Sequence, residues 1–222
     1  MVKILALETS TDACSAALMI NDTVIERYQL APREHSKLIL PMLQSLLARA
    51  QLKLSQLNAI AFGCGPGGFT GVRIAASLAQ GLGFGADLPV IPISSLKALA
   101  QTAYEELKTK KILTAFDARI GEIYWGIYQL EKNGLMQSVI KDSLVQPNSI
   151  QLPKDNNWTG VGDGWKTYTN VLEKRLGKKL IGIEPQLYPR AKQVAKLACI
   201  DWQAGKTIQA DKALPIYLRS VL

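Results

Sequence analysis

Apolar and polar positions alternate along the chain in a way that predicts strands and helices in a mixed order. In the first half, strand patterns cover residues 3–8, 14–20, 58–64 and 89–93, and helical patterns cover 39–50, 72–85 and 95–108. In the second half, strand patterns cover 111–117, 122–128, 158–161 and 180–183, and helical patterns cover 165–176 and 191–204. Strands and helices that alternate after an opening hairpin indicate an α/β fold.

The two halves of the chain resemble each other. Each opens with an apolar strand that ends in a carboxylate at a tight turn, Glu8 in the first half and Asp117 in the second, and a second strand then runs back. Two hairpins can be alike by chance, but both halves also continue with helix, strand and helix. We therefore expect a duplicated chain of two lobes, residues 1–108 and 109–222.

Two helices of the first lobe have the most informative apolar faces. The segment 39–50 has amphipathic spacing, and Pro41 should bend this helix or restrict its regular part to the residues after it. The segment 72–85 is apolar on two sides, and its small side chains permit close approach of another helix. We expect one side to meet the sheet and the small face to meet a partner. The predicted partner surface comprises Ile39, Met42, Leu43, Leu46, Val72, Arg73, Ala75, Ala76, Ala79 and Gly83.

The turn after the first strand is a candidate phosphate site. Glu8, Thr9 and Ser10 place a carboxylate, hydroxyls and backbone donors together, and the carboxylate could reach a magnesium ion through water. Asp117 and Gly121 would form the opposing turn, with a nucleotide between the lobes. Ordinary hairpin turns use the same residue types, so both interpretations stay open.

A glycine-rich loop at residues 65–71 joins a predicted strand to a predicted helix. It lacks the Gly-Lys-Ser/Thr of a Walker loop, and its glycine spacing differs from that of a dinucleotide-binding loop. We interpret it as a tight crossover that needs positive φ angles rather than as a phosphate cradle.

The charge is unevenly distributed in this chain of 222 residues with a formal net charge of +8. Much of the excess lies in residues 166–196, which hold eight basic and two acidic side chains. Such a segment is typical of a nucleic-acid partner, and it is equally typical of a solvated helix and loop surface.

Cysteine and histidine usage excludes several classes of site. Three distant cysteines indicate a reducing cytoplasm rather than a disulfide framework or a zinc ribbon. His35 is the one histidine, so no two-histidine metal site can form, and we expect it at the surface near a helix start rather than as a general base. No apolar stretch is long and unbroken enough to predict a membrane span.

Six segments of the chain resemble a known family. They are ILALETSTDACSAAL, REHSKLILPMLQSLL, GPGGFTGVRIA, FDARIGEIYWGIY, VGDGW and PIYLR, in this order from about Ile4 to Arg219. Together they resemble the TsaB (YeaZ) family of bacterial tRNA threonylcarbamoyladenosine biosynthesis proteins. The resemblance implies the duplicated two-lobe α/β fold of actin, Hsp70 and the sugar kinases, which is RNase H-like.

The resemblance also implies a role without catalysis. It implies a subunit that supports a TsaD-like protein, with a TsaE-like ATPase, in transferring threonylcarbamoyl from threonylcarbamoyl-AMP to the adenosine 3′ of the anticodon. TsaD-like proteins bind their metal through two histidines four residues apart, and Ser95 and Leu99 stand at those positions here. We expect no metal and no cofactor held by the chain itself, ATP or ADP at a subunit boundary, tRNA contact through the complex, and a homodimer when the chain is alone.

An autonomous ATP-dependent kinase or ATPase of the same superfamily is the alternative. It would use Glu8, Thr9 and Asp117 around a nucleotide. Working kinases of this superfamily usually have an aspartate where Glu8 stands, and residues 161–164 are a weak match to their adenosine loop. ATP turnover by the purified chain discriminates between the two functions.

Overall fold

The computed structural model describes residues 1–219, which form two compact units. The first unit comprises Met1–Ala98 and Pro189–Ile216, and the second comprises Leu99–Tyr188 and residues 217–219. This division differs from the predicted lobes at 108/109 in two places: residues 99–108 belong to the second unit, and the helix at residues 191–203 packs on the first sheet.

The first unit is built on a five-stranded sheet. Its strands are β1 (Lys3–Glu8), β2 (Ala13–Ile20), β3 (Thr23–Leu30), β4 (Ala59–Gly63) and β5 (Val90–Ile93), in the order β3-β2-β1-β4-β5. β1, β2 and β3 are antiparallel neighbours, whereas β1, β4 and β5 are parallel. The helices of this unit are α1 (His35–Arg49), α2 (Phe69–Ala86), the start of α3 (Ser95–Leu107) and α5 (Ala191–Gln203).

Helices cover both faces of this sheet. Successive side chains of a strand point to opposite faces, so Leu5 and Leu7 share one face of β1. They join a core cluster with Ile39 of α1 and Ala75 of α2, which places α1 and α2 on that face. On β2, Ser15 points to the other face, where its Oγ accepts a hydrogen bond of 2.9 Å from the backbone N–H at the start of α5.

The second unit repeats the topology of the first. Its strands are β6 (Lys111–Arg119), β7 (Glu122–Leu130), β8 (Met136–Ser138), β9 (Ser143–Val145), β10 (Trp158–Val161) and β11 (Leu180–Glu184). Its helices are the part of α3 from Leu99 onward and α4 (Asp163–Leu176). The order β8-β7-β6-β10-β11 matches β3-β2-β1-β4-β5 with the same strand directions, and β9 also pairs with β7. This repetition confirms the predicted duplicated, actin-like α/β fold.

Some elements differ from the sequence prediction. The pattern did not predict β3, β8 or β9, which are half-exposed or very short. The sequence before β10 forms a 3₁₀ turn at Pro147–Ser149.

The helix α1 is not restricted to the residues after Pro41, because it begins at His35. Pro41 is exposed, so water can reach the backbone carbonyl group that has no helical N–H donor at this proline.

No helix described within residues 1–219 is long and apolar enough to cross a membrane.

Candidate functional site

The small face of α2 packs inside the first unit and is not a surface. Eight of the residues predicted to contact a partner are buried in the chain: Ile39, Leu43, Leu46, Val72, Ala75, Ala76, Ala79 and Gly83. A Cβ at Gly83 would lie 2.9 Å from the Val90 side chain of β5. This face of α2 is therefore packed against the sheet with no room for a larger side chain at this position. The prediction that it meets a partner is wrong, whereas Met42 and Arg73 remain partly exposed.

The exposed sides of α1 and α2 form an apolar groove of about 410 Å³, the α1/α2 groove. Its lining includes Leu40, Phe69, Arg73, Ile74, Ser77 and Leu78. Phe69, the first residue of α2, is 70% exposed. The Arg73 guanidinium carbon lies 3.2 Å from the centroid of the Phe69 ring, and Arg73 Nη1 donates a hydrogen bond of 3.0 Å to the Phe69 carbonyl oxygen. The helical pattern does not include this aromatic residue, because Phe69 precedes the predicted start of the helix.

The carboxylate of Glu8 is buried at the end of β1. Its Oε1 accepts a hydrogen bond of 2.7 Å from Ser10 N, and its Oε2 accepts one of 2.8 Å from Ser95 Oγ. Burial raises the pKa of Glu8, and the hydrogen bonds from Ser10 and Ser95 act in the opposite direction. Ser95 therefore holds Glu8, whereas Ser94 caps α3 by accepting a hydrogen bond of 3.2 Å from Lys97 N.

Glu8 should make the stability of the chain depend on pH. Because the folded chain raises this pKa above its ordinary value of 4.5, the stabilisation from protonated Glu8 is complete below that value and is lost as pH rises through the folded pKa. We expect Glu8→Gln to gain stability over the wild type as pH rises above 4.5, by at most about 1.4 kcal/mol per pH unit. Urea unfolding at pH 4.5 and pH 8 measures this. Glu131→Gln, a change at an exposed glutamate, is the control, and an equal gain in both variants would contradict the prediction.

The glycine-rich loop lies directly on the turn that follows β1. Thr9 Oγ1 donates a hydrogen bond of 2.7 Å to the Gly71 carbonyl oxygen, and Gly68 N donates one of 2.7 Å to the Ser10 carbonyl oxygen. A Cβ at Gly71 would lie 1.9 Å from the Thr9 carbonyl oxygen. The loop is structural, as predicted. Gly65 has the positive φ angle that the sequence led us to expect, whereas Gly71 is needed because the two backbone segments lie in close contact.

The first candidate phosphate turn is consequently filled by the chain itself. Glu8, Thr9 and Ser10 are 0–1% exposed, and the loop covers them. A phosphate therefore has no access to these side chains in this structure, which corrects the expectation that the turn is open to a nucleotide.

The second candidate turn, after β6, is more open. Asp117 Oδ1 accepts a hydrogen bond of 2.8 Å from Arg119 N, and the Asp117 side chain is 11% exposed. Thr167 Oγ1 lies 3.4 Å from Asp117 Oδ2, within hydrogen-bond distance. Gly121 adopts a φ of +76° at the exposed tip of the hairpin, with open space around it, as a tight turn requires.

The turn before α4 packs on β6 much as the glycine-rich loop packs on the turn after β1. A Cβ at Gly162 would lie 2.4 Å from the Ala115 carbonyl oxygen, and Gly164 is in similar contact with Ala115. Asp163 Oδ1 also accepts a hydrogen bond of 3.1 Å from Asp117 N. Gly162 and Gly164 lie in residues 161–164, the weak match to an adenosine loop. Both glycines therefore allow close packing of the backbone within the second unit.

His35 is buried and not at the surface as expected. It is the first residue of α1, and its Nε2 donates a hydrogen bond of 2.7 Å to the Thr11 carbonyl oxygen. That bond fixes the imidazole in a structural position. Among residues 1–219, no group of three or more His, Cys, Asp or Glu side chains could hold a metal ion, and Cys14, Cys64 and Cys199 are buried and form no disulfide.

The predicted basic segment is divided between the two units. In the first unit, Arg190 forms an ion pair of 2.6 Å with Glu26 of β3, which fixes the start of α5. In the second unit, basic side chains lie at the end of α4 and in the 3₁₀ turn Gly177–Lys179.

Comparison with known proteins decides the family. A family model described as "TsaD: tRNA N6-adenosine threonylcarbamoyltransferase" matches residues 24–219. An Escherichia coli K12 protein named "tRNA threonylcarbamoyladenosine biosynthesis protein TsaB" is 41% identical over 99% of this chain and 95% of its own length. A Haemophilus influenzae protein of the same name is 42% identical over 98% of this chain and 93% of its own. The chain belongs to the TsaB family.

Solved structures of similar proteins agree with this assignment to the TsaB family. "YeaZ from Pseudomonas aeruginosa" has a TM-score of 0.91 and 41% identity, covering 98% of this chain and 100% of that one. Another Pseudomonas aeruginosa structure, of an uncharacterized protein described as similar to peptidase YeaZ, has a TM-score of 0.92 and 40% identity, covering 99% and 100%. The resemblance inferred from the six sequence motifs is therefore confirmed.

Proposed function

We propose that this chain is a subunit without catalytic function in a tRNA-modifying complex. In this proposal it supports a TsaD-like catalytic protein, together with a TsaE-like ATPase, in the cytoplasm. The complex transfers threonylcarbamoyl from threonylcarbamoyl-AMP to N6 of the adenosine 3′ of the anticodon, in tRNAs that read codons beginning with adenine. Membership of the TsaB family supports a role of this chain in tRNA threonylcarbamoyladenosine biosynthesis.

The hydrogen bond between Ser95 and Glu8 is the observation that carries the proposal. Ser95 stands where a TsaD-like protein has a metal-binding histidine, and here its hydroxyl donates to the buried Glu8 carboxylate. A serine and a leucine at these two positions are poor ligands for the metals that imidazole suits. The autonomous kinase is less well supported, since Glu8, Thr9 and Ser10 are covered by the glycine-rich loop.

Reconstitution of the reaction tests this function. Threonylcarbamoyladenosine should form in a tRNA transcript only when the chain is added to the TsaD-like and TsaE-like proteins. The purified chain should not turn over ATP. ATP turnover by the chain that Asp117→Ala abolishes would favour the kinase, and full modification without the chain would contradict the subunit role.

The α1/α2 groove is the surface that we propose for the TsaD-like partner. Its apolar lining and its exposed aromatic ring with an arginine stacked on it have the composition typical of interface centres. Helices of the partner would lie against α1 and α2. A second copy of this chain would occupy the same groove when the partner is absent, and ATP or ADP would bind at the boundary between subunits and not to the chain alone.

Phe69→Asp should weaken binding of the TsaD-like partner by about 30-fold or more, as expected for an exposed aromatic anchor at an interface. Phe84→Asp is the matched control, because Phe84 is on the same helix, 81% exposed and outside the groove. Pull-down and gel filtration of both variants measure partner binding and self-association. Equal binding by the two variants would place the interface elsewhere.

A further inference from the structure

Five basic residues lie on two adjacent segments of the second unit, near the end of α4. Lys174 and Arg175 lie in the last turn of α4, and Lys178 and Lys179 lie in the 3₁₀ turn that follows. Lys154 comes from the segment before β10. Lys179 Nζ donates a hydrogen bond of 3.0 Å to the Lys154 carbonyl oxygen, so the two segments are adjacent. We call these five residues the basic cluster.

The charges of the basic cluster are not neutralised within the second unit. Over the described part of the chain, the Lys174, Arg175 and Lys178 side chains make no ion pair or hydrogen bond. Asp155, the carboxylate next to Lys154, pairs with Lys111 at 3.0 Å. Glu173 is the acidic residue beside the cluster on α4, and it is exposed. The cluster therefore keeps a strong positive excess that a bound polyanion could neutralise.

A groove of about 560 Å³ adjoins the basic cluster. It is lined by Lys174, Arg175, Val171 and two amides, Asn148 and Asn170. Lysine and arginine side chains neutralise phosphates, and amide side chains both donate and accept hydrogen bonds, so they suit ribose hydroxyls as well as phosphate oxygens. The groove thus combines the two kinds of group that contact a sugar-phosphate backbone.

We propose that the basic cluster and this groove bind the sugar-phosphate backbone of tRNA in the assembled complex. The inference rests on the proposed function, which brings tRNA to the complex. Cations in the last turn of a helix also interact favourably with its dipole. That effect does not account for Lys154 and Lys179, which lie outside α4, or for the amide-lined groove beside them.

The salt dependence of tRNA binding tests the inference. The test variant combines Lys174→Ala, Arg175→Ala and Lys178→Ala in the complex with the TsaD-like protein. Each phosphate contact contributes about 0.7–0.9 to the slope of log K against log salt, so we expect the slope to fall by about 2–3. The charge-matched control combines Lys53→Ala, Lys132→Ala and Lys141→Ala, which are exposed lysines outside the cluster, and its slope should stay close to that of the wild type.

Further measurements separate this inference from the proposed function. Thermal melting of both variants checks folding, and a variant with Lys174→Arg and Lys178→Arg should keep the wild-type slope. An unchanged slope in the alanine variant would overturn the inference, while dependence of tRNA modification on the chain would still support the function. An unchanged slope with weaker binding of the TsaE-like protein would assign the cluster to a protein partner, which also overturns the inference.

Discussion

Gly71→Ala is expected to prevent the first unit from folding, or to destabilise it by about 4 kcal/mol or more, which is the range of severe core overlaps. The added Cβ would lie 1.9 Å from the Thr9 carbonyl oxygen and 3.0 Å from the Thr9 carbonyl carbon. Both are backbone atoms of the turn after β1, so no side chain can rotate to relieve the contact. Urea unfolding followed by circular dichroism measures the loss.

Gly81→Ala is the matched control for this prediction. Gly81 lies on the same helix, and a Cβ there would meet nothing within 4 Å. Because alanine favours the helix interior over glycine, this variant should gain about 1 kcal/mol. A Gly71→Ala chain as stable as the wild type would show that the loop does not need to approach the turn so closely.

Ala79→Glu is expected to cost about 3–5 kcal/mol, because it places an unpaired charge in the core. Ala79 is 0% exposed and belongs to the core cluster that α2 shares with β1 and β4. The loss is therefore one of folding, whereas the sequence pattern alone predicts that this change disrupts a partner surface on a folded chain.

Ser77→Glu separates the two effects on the same helix. Ser77 is exposed and lines the α1/α2 groove. We expect this variant to unfold at nearly the wild-type urea concentration and to bind the TsaD-like partner less tightly. If Ala79→Glu folds normally and only loses its partner, the assignment of Ala79 to the core is wrong.

The close contacts of glycines with backbone are a shared feature of the two units. In the first unit, Gly71 meets the turn after β1, and in the second unit, Gly162 meets β6 at Ala115. The loop after β4 thus reaches the turn after β1, and the loop after β10, which has the equivalent place in the second sheet, reaches β6. These glycines are visible in the sequence, but only the structure shows that they allow close contact with a neighbouring backbone segment.

Local periodicity predicted most helices and strands, because a buried strand and an amphipathic helix each have a distinct spacing of apolar residues. The strand at Trp158–Val161 was predicted at its observed bounds. β3 was not predicted, because it is an edge strand with mixed exposure and its stability comes from pairing with β2.

The sequence by itself determined the order of most helices and strands, the duplication of the α/β unit and the family, since these depend on local spacing and on motifs written in the chain. Only the tertiary structure decided which side of α2 is buried, because both sides are apolar and the choice depends on contacts with residues far along the chain. The tertiary structure also decided that the Glu8 carboxylate accepts a hydrogen bond from the distant Ser95. It likewise decided that α5, which follows the second sheet in sequence, packs on the first sheet. Contacts at such separations leave no periodic signal, so no local pattern can reveal them.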